Sequence, residues 1–589
     1  MRKSATLSLS CVLFVCLATL GVQNAEAQIK VNGANPNNTA QGTTNLNVIV
    51  SGSGFKKGAQ AQWFATGTTN PGGVTVNSTT FNSSGQLTAN ITVAVDAVIG
   101  NFDVQVKNTD GRTGKGTELF AVKSKQAASC PTPVPLNPTP ATFACSNATG
   151  QTCLDSTFGN AILLPPGGLV LTNTDGAVSP TQDVDGAQSI KQQQQPDGTL
   201  MLVAIGITTN PNVSGQSGVA VARYNLDGSL DTTFGSGGIA KFFSASSNFM
   251  LVHDGAVDAS GNILAVADQN GATGVVRFTP TGVLDPTFNS TGYVTLSNVK
   301  PLAMRVQSDG KIVIGGTRIS GKTIVGVVVR LNTNGSLDTG FGSNGQATIN
   351  SLYLLYALAL QSVNSQQYIL AGGEGAGSNN FSVVRLTPSG SLDSSFGVSG
   401  GVAATNFCGL PSTVFSLSVD SIGSILAGGT AQLVSTGPPA FGIARFTSNG
   451  VLDTGFGDFS TSSSGRTGQT MLDFFGSENH ATSIQPVLDS GGNEIAFMVG
   501  GYVFQSTGSN TFKKYLAIAE YHADGSLDTT FGTNGGVAVD FGSANNSVLS
   551  PANDNLLIQT DGKIVIGGTA GFTSGSFSGY NFALARFWP

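Results

Sequence analysis

Seven copies of one six-residue pattern constrain this chain more than any other feature of its sequence. Leu-Asp-x-x-Phe-Gly begins at Leu154, Leu230, Leu337, Leu392, Leu452 and Leu527, and the copy at Leu284 ends in Asn289 instead of glycine. The copies follow one another at intervals of 53 to 76 residues. Repetition on that scale means that each unit is a small supersecondary element that can bury its apolar face only against its neighbours. After the motif at Leu337, residues 346–349, 357–360, 368–371 and 381–386 alternate or run apolar over strand-like lengths. Tight turns such as Asp309-Gly310 and Asp561-Gly562 separate the corresponding runs of other units.

Four antiparallel strands repeated about seven times is the pattern of a β-propeller. The Leu-Asp-x-x-Phe-Gly signature resembles the delta-60 repeat of exported bacterial proteins over residues 154–589. The resemblance implies a propeller fold and export, and no particular activity.

A second, charged periodicity predicts how the ring closes. Arg223, Arg277, Arg330, Arg385 and Arg445 each stand eight residues before a motif aspartate: Asp231, Asp285, Asp338, Asp393 and Asp453. A hairpin turning at Asn334-Gly335 would set Arg330 opposite Asp338 across adjacent strands, so a structural ion pair is expected. Asp155 has no arginine before it and Arg586 no aspartate after it. Each orphan fits the other, which predicts that a strand following Cys153 completes the last blade beside residues 582–587. Glu520 breaks the pattern in front of Asp528, so that hairpin is expected to be the odd one.

Residues 1–27 carry Arg2-Lys3, an apolar stretch and Ala25-Glu26-Ala27, the organisation of a removable signal peptide. Residues 28–123 read as short alternating strands between Gly, Asn and Ser turns, the pattern of a β-sandwich. Gly52-Ser53-Gly54-Phe55, Gly58-Ala59, the run from Gly100 to Val106 and Asn108-Thr109-Asp110-Gly111 resemble TIG-type immunoglobulin-like modules. Residues 124–153, with five prolines, read as a stiff tether unsuited to a sheet interior. The expected fold class is therefore all-β, an Ig-like sandwich followed by a seven-bladed propeller. Export permits disulfides among Cys130, Cys145, Cys153 and Cys408 in any of three connectivities; a staple within the linker, leaving one of its cysteines to reach Cys408, is the plainest.

Composition excludes one large class of function. The chain carries 27 Lys plus Arg against 33 Asp plus Glu, a formal charge of -6, and so lacks the basic footprint that nucleic acid requires. Gly316 to Thr323 matches a phosphate-binding loop, but the next residues read as a strand where that chemistry needs a helix. Gly397-Val398-Ser399-Gly400-Gly401 matches a nucleophile elbow and reads as a turn of the repeat. Asn173 to Gly176 and Asp183 to Gly186 resemble fragments of calcium loops without the usual bidentate acid, so no metal and no cofactor are expected.

Candidate ligand-binding residues come from two comparisons between units. His253, Tyr356, Phe415, His480 and Asp554, with Leu302, occupy one register position ahead of the innermost strand's aliphatic core and would ring a channel mouth. The connections at 208–216, 317–323, 374–380, 433–439, 504–514 and 572–580 diverge between units and share one face, which adds Tyr502 and Tyr580. Asp155, Arg330, Asp338 and Arg586 are structural candidates. The function expected is a secreted, extracellular or cell-surface binding or adhesion protein, with the periplasm as the other destination, recognising a glycan or protein without catalysis or membrane insertion. The rivals are a propeller hydrolase or lyase at the channel mouth, and a structural envelope or matrix component.

Overall fold

The computed structural model describes residues 28–94, 97–123, 134–138, 144–145, 154–155, 157–159, 168–174, 185–245, 250–377, 380–398, 400–407, 409–432, 434, 437–458, 466–508, 511–541, 546–547, 555–574 and 577–588. Their regular structure is entirely strand, and among them no helix is long and apolar enough to cross a membrane. Gln86–Val93 illustrates why: its alternate residues Leu87, Ala89, Ile91 and Val93 are buried while those between face outward. Two four-stranded sheets built from residues 30–123 enclose one core, to which Trp63, Phe102 and Phe120 contribute the largest side chains.

Among the described residues, seven further sheets follow from the repeat region. Each begins with an inner strand, starting with Gly186–Gln194, Leu251–Val257, Lys300–Val306, Leu352–Val363, Ser412–Val419, Asn479–Leu488 and Leu556–Ile558. Each of these strands packs against the next, and the last packs against the first. The strand after each motif from Leu230 on is the fourth strand of the preceding sheet: Gln346–Ile349, beyond the motif at Leu337, pairs with Thr323–Leu331. Sheets and sequence repeats are therefore one strand out of phase. In the seventh sheet that outer position falls to Leu169–Thr172, paired with Phe582 to Ala585, while Leu154 pairs with Phe587.

The inner strands of the first six sheets share a local irregularity. Register shifts lie between Ala187 and Ser189, Val252 and Asp254, Pro301 and Ala303, Leu355 and Ala357, Val414 and Ser416, and Ala481 and Ser483. In the second sheet Ala267 and Val266 stand opposite the bulge. In the others a glycine of the second strand does, and a Cβ on Gly316 would lie 2.1 Å from the carbonyl oxygen of Lys300.

The motif itself is a clamp between sheets. Asp338 Oδ2 accepts from Arg330 Nε at 2.8 Å, and the guanidinium lies over the Phe341 ring, 4.3 Å from its centroid. Arg330 Nη1 donates to the carbonyl of Pro388, in the hairpin of the next sheet, at 2.7 Å. Phe341 packs beneath Gly390 of that hairpin, and Gly342 N–H donates to Ser389 O at 2.7 Å. Gly390 has φ +85°, and a Cβ there would meet the backbone of Gly342 at 2.7 Å, so only glycine fits the turn. Arg223, Arg277, Arg385 and Arg445 repeat the arrangement with Asp231, Asp285, Asp393 and Asp453. Arg586 faces Asp155 through Nη2 instead of Nε, at 2.7 Å and with both side chains nearly sealed from solvent; it lies over Phe158, and its Nη1 donates to Leu226 O.

Glu520 lies at the seam between the sixth and seventh sheets. The sheet after it joins its arginine to its aspartate from opposite ends of the repeat series, so no hairpin turn connects Arg586 to Asp155. Burial, followed by the nearby Asp528 carboxylate, holds the Glu520 carboxyl above its usual range.

The segment expected to act as a tether supplies edge strands. Val134–Leu136 runs parallel to Gln469–Phe474 at the outer edge of the fifth sheet, a position that tolerates Pro135. Ala144–Cys145 runs parallel to Leu154–Asp155. Cys130, Cys153 and Cys408 lie outside the described residues, as does Ser399; of Cys145 only the backbone is described. The phosphate-loop match is the hairpin between Ile312–Ser320 and Thr323–Leu331. Of the calcium-like fragments, Asp175 and Asp183 lie outside the described residues, and buried Asp185 accepts from Thr174 N–H and Thr209 N–H.

The seams make two expectations testable. Removing one partner of a buried ion pair strands the other charge, at a cost of about 3–5 kcal/mol. Asp155→Ala should therefore lower the guanidinium chloride midpoint more than Asp453→Ala, whose pair with Arg445 is more open to solvent. The second concerns Glu494, whose carboxyl is pushed up to about 7 by burial and then by the charge of Asp420, with Arg445 3.7 Å away opposing. A folded-state value above the unfolded 4.5 means that stability is complete below about pH 4.5 and is lost as pH rises through 7. Glu494→Gln should remove that part of the decline, read as a flatter dependence of the midpoint on pH between about 5 and 8.

Candidate functional site

A run of aromatic rings begins on the inner strands of the fourth, fifth and sixth sheets and passes outward along the sixth. Tyr356 meets Phe415 edge-on at 4.8 Å between centroids, and Phe415 lies 6.0 Å from His480. His480 stacks on Tyr502 at 4.6 Å and 14°. Tyr502 is 6.0 Å from Phe504, which meets Phe512 nearly at right angles at 6.4 Å. Four of the residues expected to bind ligand are thus brought together, and the run ends on a hairpin of the divergent rim. Phe512 is 56% exposed there.

The hairpin is held from below by backbone. Phe504 N–H donates to Glu478 O at 3.0 Å, anchoring the turn that enters Asn479–Leu488. That turn contains Phe475 with φ +63°, a left-handed conformation that is unfavourable for a bulky residue, followed by Gly476 with φ +62°. Its ring rests 5.8 Å from Tyr515 and its N–H donates to Leu136 O.

Polar groups flank the outer rings. Glu478 Oε1 lies 2.6 Å from His480 Nε2, and this hydrogen bond lowers the Glu478 carboxyl below its usual range. Lys514 Nζ sits over Phe504, 4.9 Å from the ring centroid. Burial raises the Tyr502 hydroxyl well above its ordinary value, with the Glu478 charge adding to the effect. Tyr356 is raised by burial and then by Glu374, whose own carboxyl burial also raises. Pro438, Gly476, Ser477, Glu478, Phe504 and Phe512 bound a cavity of 360 Å³. A larger cavity of 470 Å³ opens on the opposite rim beside Asp258, Arg277 and Asn334, where Arg277 is already committed to Asp285 and Phe288.

The expected common register needs one correction. His253, Leu302, Tyr356 and Phe415 occupy the bulge of their inner strands, but in the sixth sheet Thr482 does, and His480 lies two residues earlier. Counting back from an aliphatic residue fails because Ile484 follows the bulge at the place of Leu417, while Val257 corresponds to Val419. Aligning the glycine opposite the bulge, Gly500 with Gly428, gives the true register. His253 is buried, and burial brings its imidazole down to about 4, so it fills space as a neutral group. Tyr580 lies opposite Gly571 in the seventh sheet, outside the run of rings, and Asp554 lies outside the described residues. Among the described residues no group of three or more His, Cys, Asp or Glu could hold a metal ion.

Glu478 and Phe512 escaped the sequence comparison. A signal for Glu478 was present, since residues two apart project from the same face of an extended chain and Glu478-Asn479-His480 has that spacing.

Six segments, 195–234, 254–288, 307–341, 369–396, 423–456 and 559–589, match the model of a domain of unknown function described as DUF5122 beta-propeller. No curated protein matches the chain. Among solved structures, the chain is similar to a catalytically inactive variant of virginiamycin B lyase from Staphylococcus aureus in a structure with quinupristin, at 11% identity and TM-score 0.35, covering 71% of this chain and 98% of that one. It is also similar to the polysaccharide lyase Uly1, at 10% identity and TM-score 0.36 over 70% and 90% of the two chains. A third is Drosophila Plexin A in complex with Semaphorin 1b, at 11% identity and TM-score 0.33 over 69% and 88%. The six matched segments, set on a succession of sheets whose last packs against its first, identify the chain as a β-propeller protein.

Proposed function

We propose that this is an exported, non-enzymatic binding or adhesion protein. In this reading residues 28–123 form an immunoglobulin-like spacer and residues 154–589 a seven-bladed delta-60 propeller. Residues 1–27 direct export, and the linker and Cys408 supply the disulfide candidates. The divergent rim contacts an extracellular glycan or protein.

The observation that carries this reading is the aromatic run ending at Phe504 and Phe512. Single exposed apolar residues are ordinary on protein surfaces, whereas contiguous ones mark contact sites. Phe512 adds little to the core, yet it continues a row of rings beside a cavity with a carboxylate in its wall. A rigid scaffold carrying variable connections is the usual support for a binding surface. The clamps on the other rim make such a scaffold, because every motif but the one at Leu527 is tied to the hairpin of the next sheet.

The whole chain should be retained on isolated extracellular-matrix or cell-envelope material, measured by co-sedimentation. The double variant Phe504→Ala/Phe512→Ala should lose retention by about tenfold or more while unfolding at an unchanged midpoint. Retention that survives the double variant would move the contact surface off this rim and overturn the assignment.

A further inference from the structure

We infer that the corner formed by Phe504, Phe512, Glu478 and Lys514 reads an uncharged sugar of a hydroxyl-rich polysaccharide; this rests on the binding reading above and names the ligand class for the same site. Three features of the corner lead to it.

The first is the shape of the apolar wall. Phe504 and Phe512 stand at 84° to one another, and Phe512 offers an open face. A pyranose ring is amphipathic, with C–H bonds on its flat faces and hydroxyls around its edge. One face can cover Phe512 while the edge meets the polar side of the cavity, where Ser477 and Glu478 stand. A protein anchor side chain would call for an apolar pocket closed on all sides.

The second is hydrogen-bonding chemistry. Glu478 holds one His480 nitrogen with Oε1, and its side chain is half exposed, so a carboxylate has further acceptor capacity toward the cavity. Lys514 offers only donors. A hydroxyl is both donor and acceptor, so neighbouring sugar hydroxyls satisfy a fixed acceptor and a fixed donor at once.

The third is charge. Glu478 and Lys514 are near enough for Lys514 to help hold the Glu478 carboxyl low, so the corner carries one charge of each sign. A polyuronate is repelled by Glu478 as it is drawn by Lys514, so its charge gains it no net hold and opposes contact at Glu478. A quaternary ammonium would have to displace the Lys514 ammonium from the Phe504 face. An uncharged ring meets neither opposition.

The test is isothermal titration of the whole chain with four probes: a neutral β-glucan, a neutral galactomannan, a polygalacturonate and choline. A neutral polymer should bind, with affinity equal at roughly 0.05 and 0.5 M salt because no net charge is neutralised. Phe512→Ala and Glu478→Gln should each weaken it by about tenfold or more. Ile422→Ala, at an 80% exposed residue on the opposite rim, should leave it unchanged. Binding confined to polygalacturonate or choline would overturn the inference, as would neutral-polymer binding that Phe512→Ala leaves intact. Failure of all four probes, with matrix retention still abolished by Phe504→Ala/Phe512→Ala, would overturn the sugar and leave a protein ligand for the same rim. Failure of both experiments would overturn the binding reading as well.

Discussion

The architecture depends on a guanidinium held between its own sheet and the next. In each complete clamp the arginine pairs with the aspartate eight residues on, lies over the motif phenylalanine, and donates to a carbonyl of the following hairpin. Burying the pair carries a desolvation cost that is offset only when the remaining donors are satisfied. The hairpin carbonyl satisfies one of them, so the ion pair is favourable only when two sheets are correctly seated. A hydrophobic interface tolerates sliding; a fixed fork of donors does not. That coupling explains why the motif spacing inside each hairpin is invariant while the distance from one motif to the next ranges from 53 to 76 residues.

The same coupling divides the two rims. On the clamped rim the hairpins are bound into neighbouring sheets through their backbones, and glycines such as Gly390 have no room for a side chain. Variation there would break a seam. On the other rim, among the described residues, no arginine–aspartate clamp holds the hairpins, as at the one closed by the pair Gly508 and Thr511. Aromatic, amide and charged residues can therefore collect there without loss of fold, and among the described residues the sixth sheet has the longest paired strands of such a hairpin, Glu494–Gly508 and Thr511–His522. Its outer rings stand on an inner stack of His480 and Tyr502, which fixes their direction.

Most of the ring was legible in the sequence because its determinants are local and repeated. The eight-residue spacing of Arg330 and Asp338 belongs to one hairpin, and the orphan pair Asp155 and Arg586 could be matched because the pattern was complete at nearly every other hairpin. What spacing could not show was that the same arginine reaches into the neighbouring sheet, since Pro388 lies 58 residues beyond Arg330. The edge strand Val134–Leu136 was hidden for a similar reason: three residues with a central proline look like tether until a partner edge is known. The site was half legible. Tyr356, Phe415, His480 and Tyr502 stood out as variable residues at repeated positions, but the ring-to-ring path through them crosses three sheets. His480 was misaligned by two residues because a bulge shifts the alternation of side chains, and in that sheet the glycine opposite the bulge records where the shift occurs.

Glu520 shows the limit of a repeat as a guide and the value of its exceptions. Read along the chain, it places a carboxylate before another carboxylate and looks like damage to the pattern. Read around the ring, it lies at the one seam where the next sheet joins its arginine and aspartate from distant parts of the chain. There the motif's Asp528 faces a carboxylate where the other seams have a guanidinium, so this seam is held without the charged fork that locks the others. The glutamate is instead held above its usual range by burial, which makes it readier to lose its charge than an arginine could ever be. The exception to the charge pattern and the strand exchange at the ring's junction therefore meet at the same seam, although residues 520 and 155 lie far apart in the sequence.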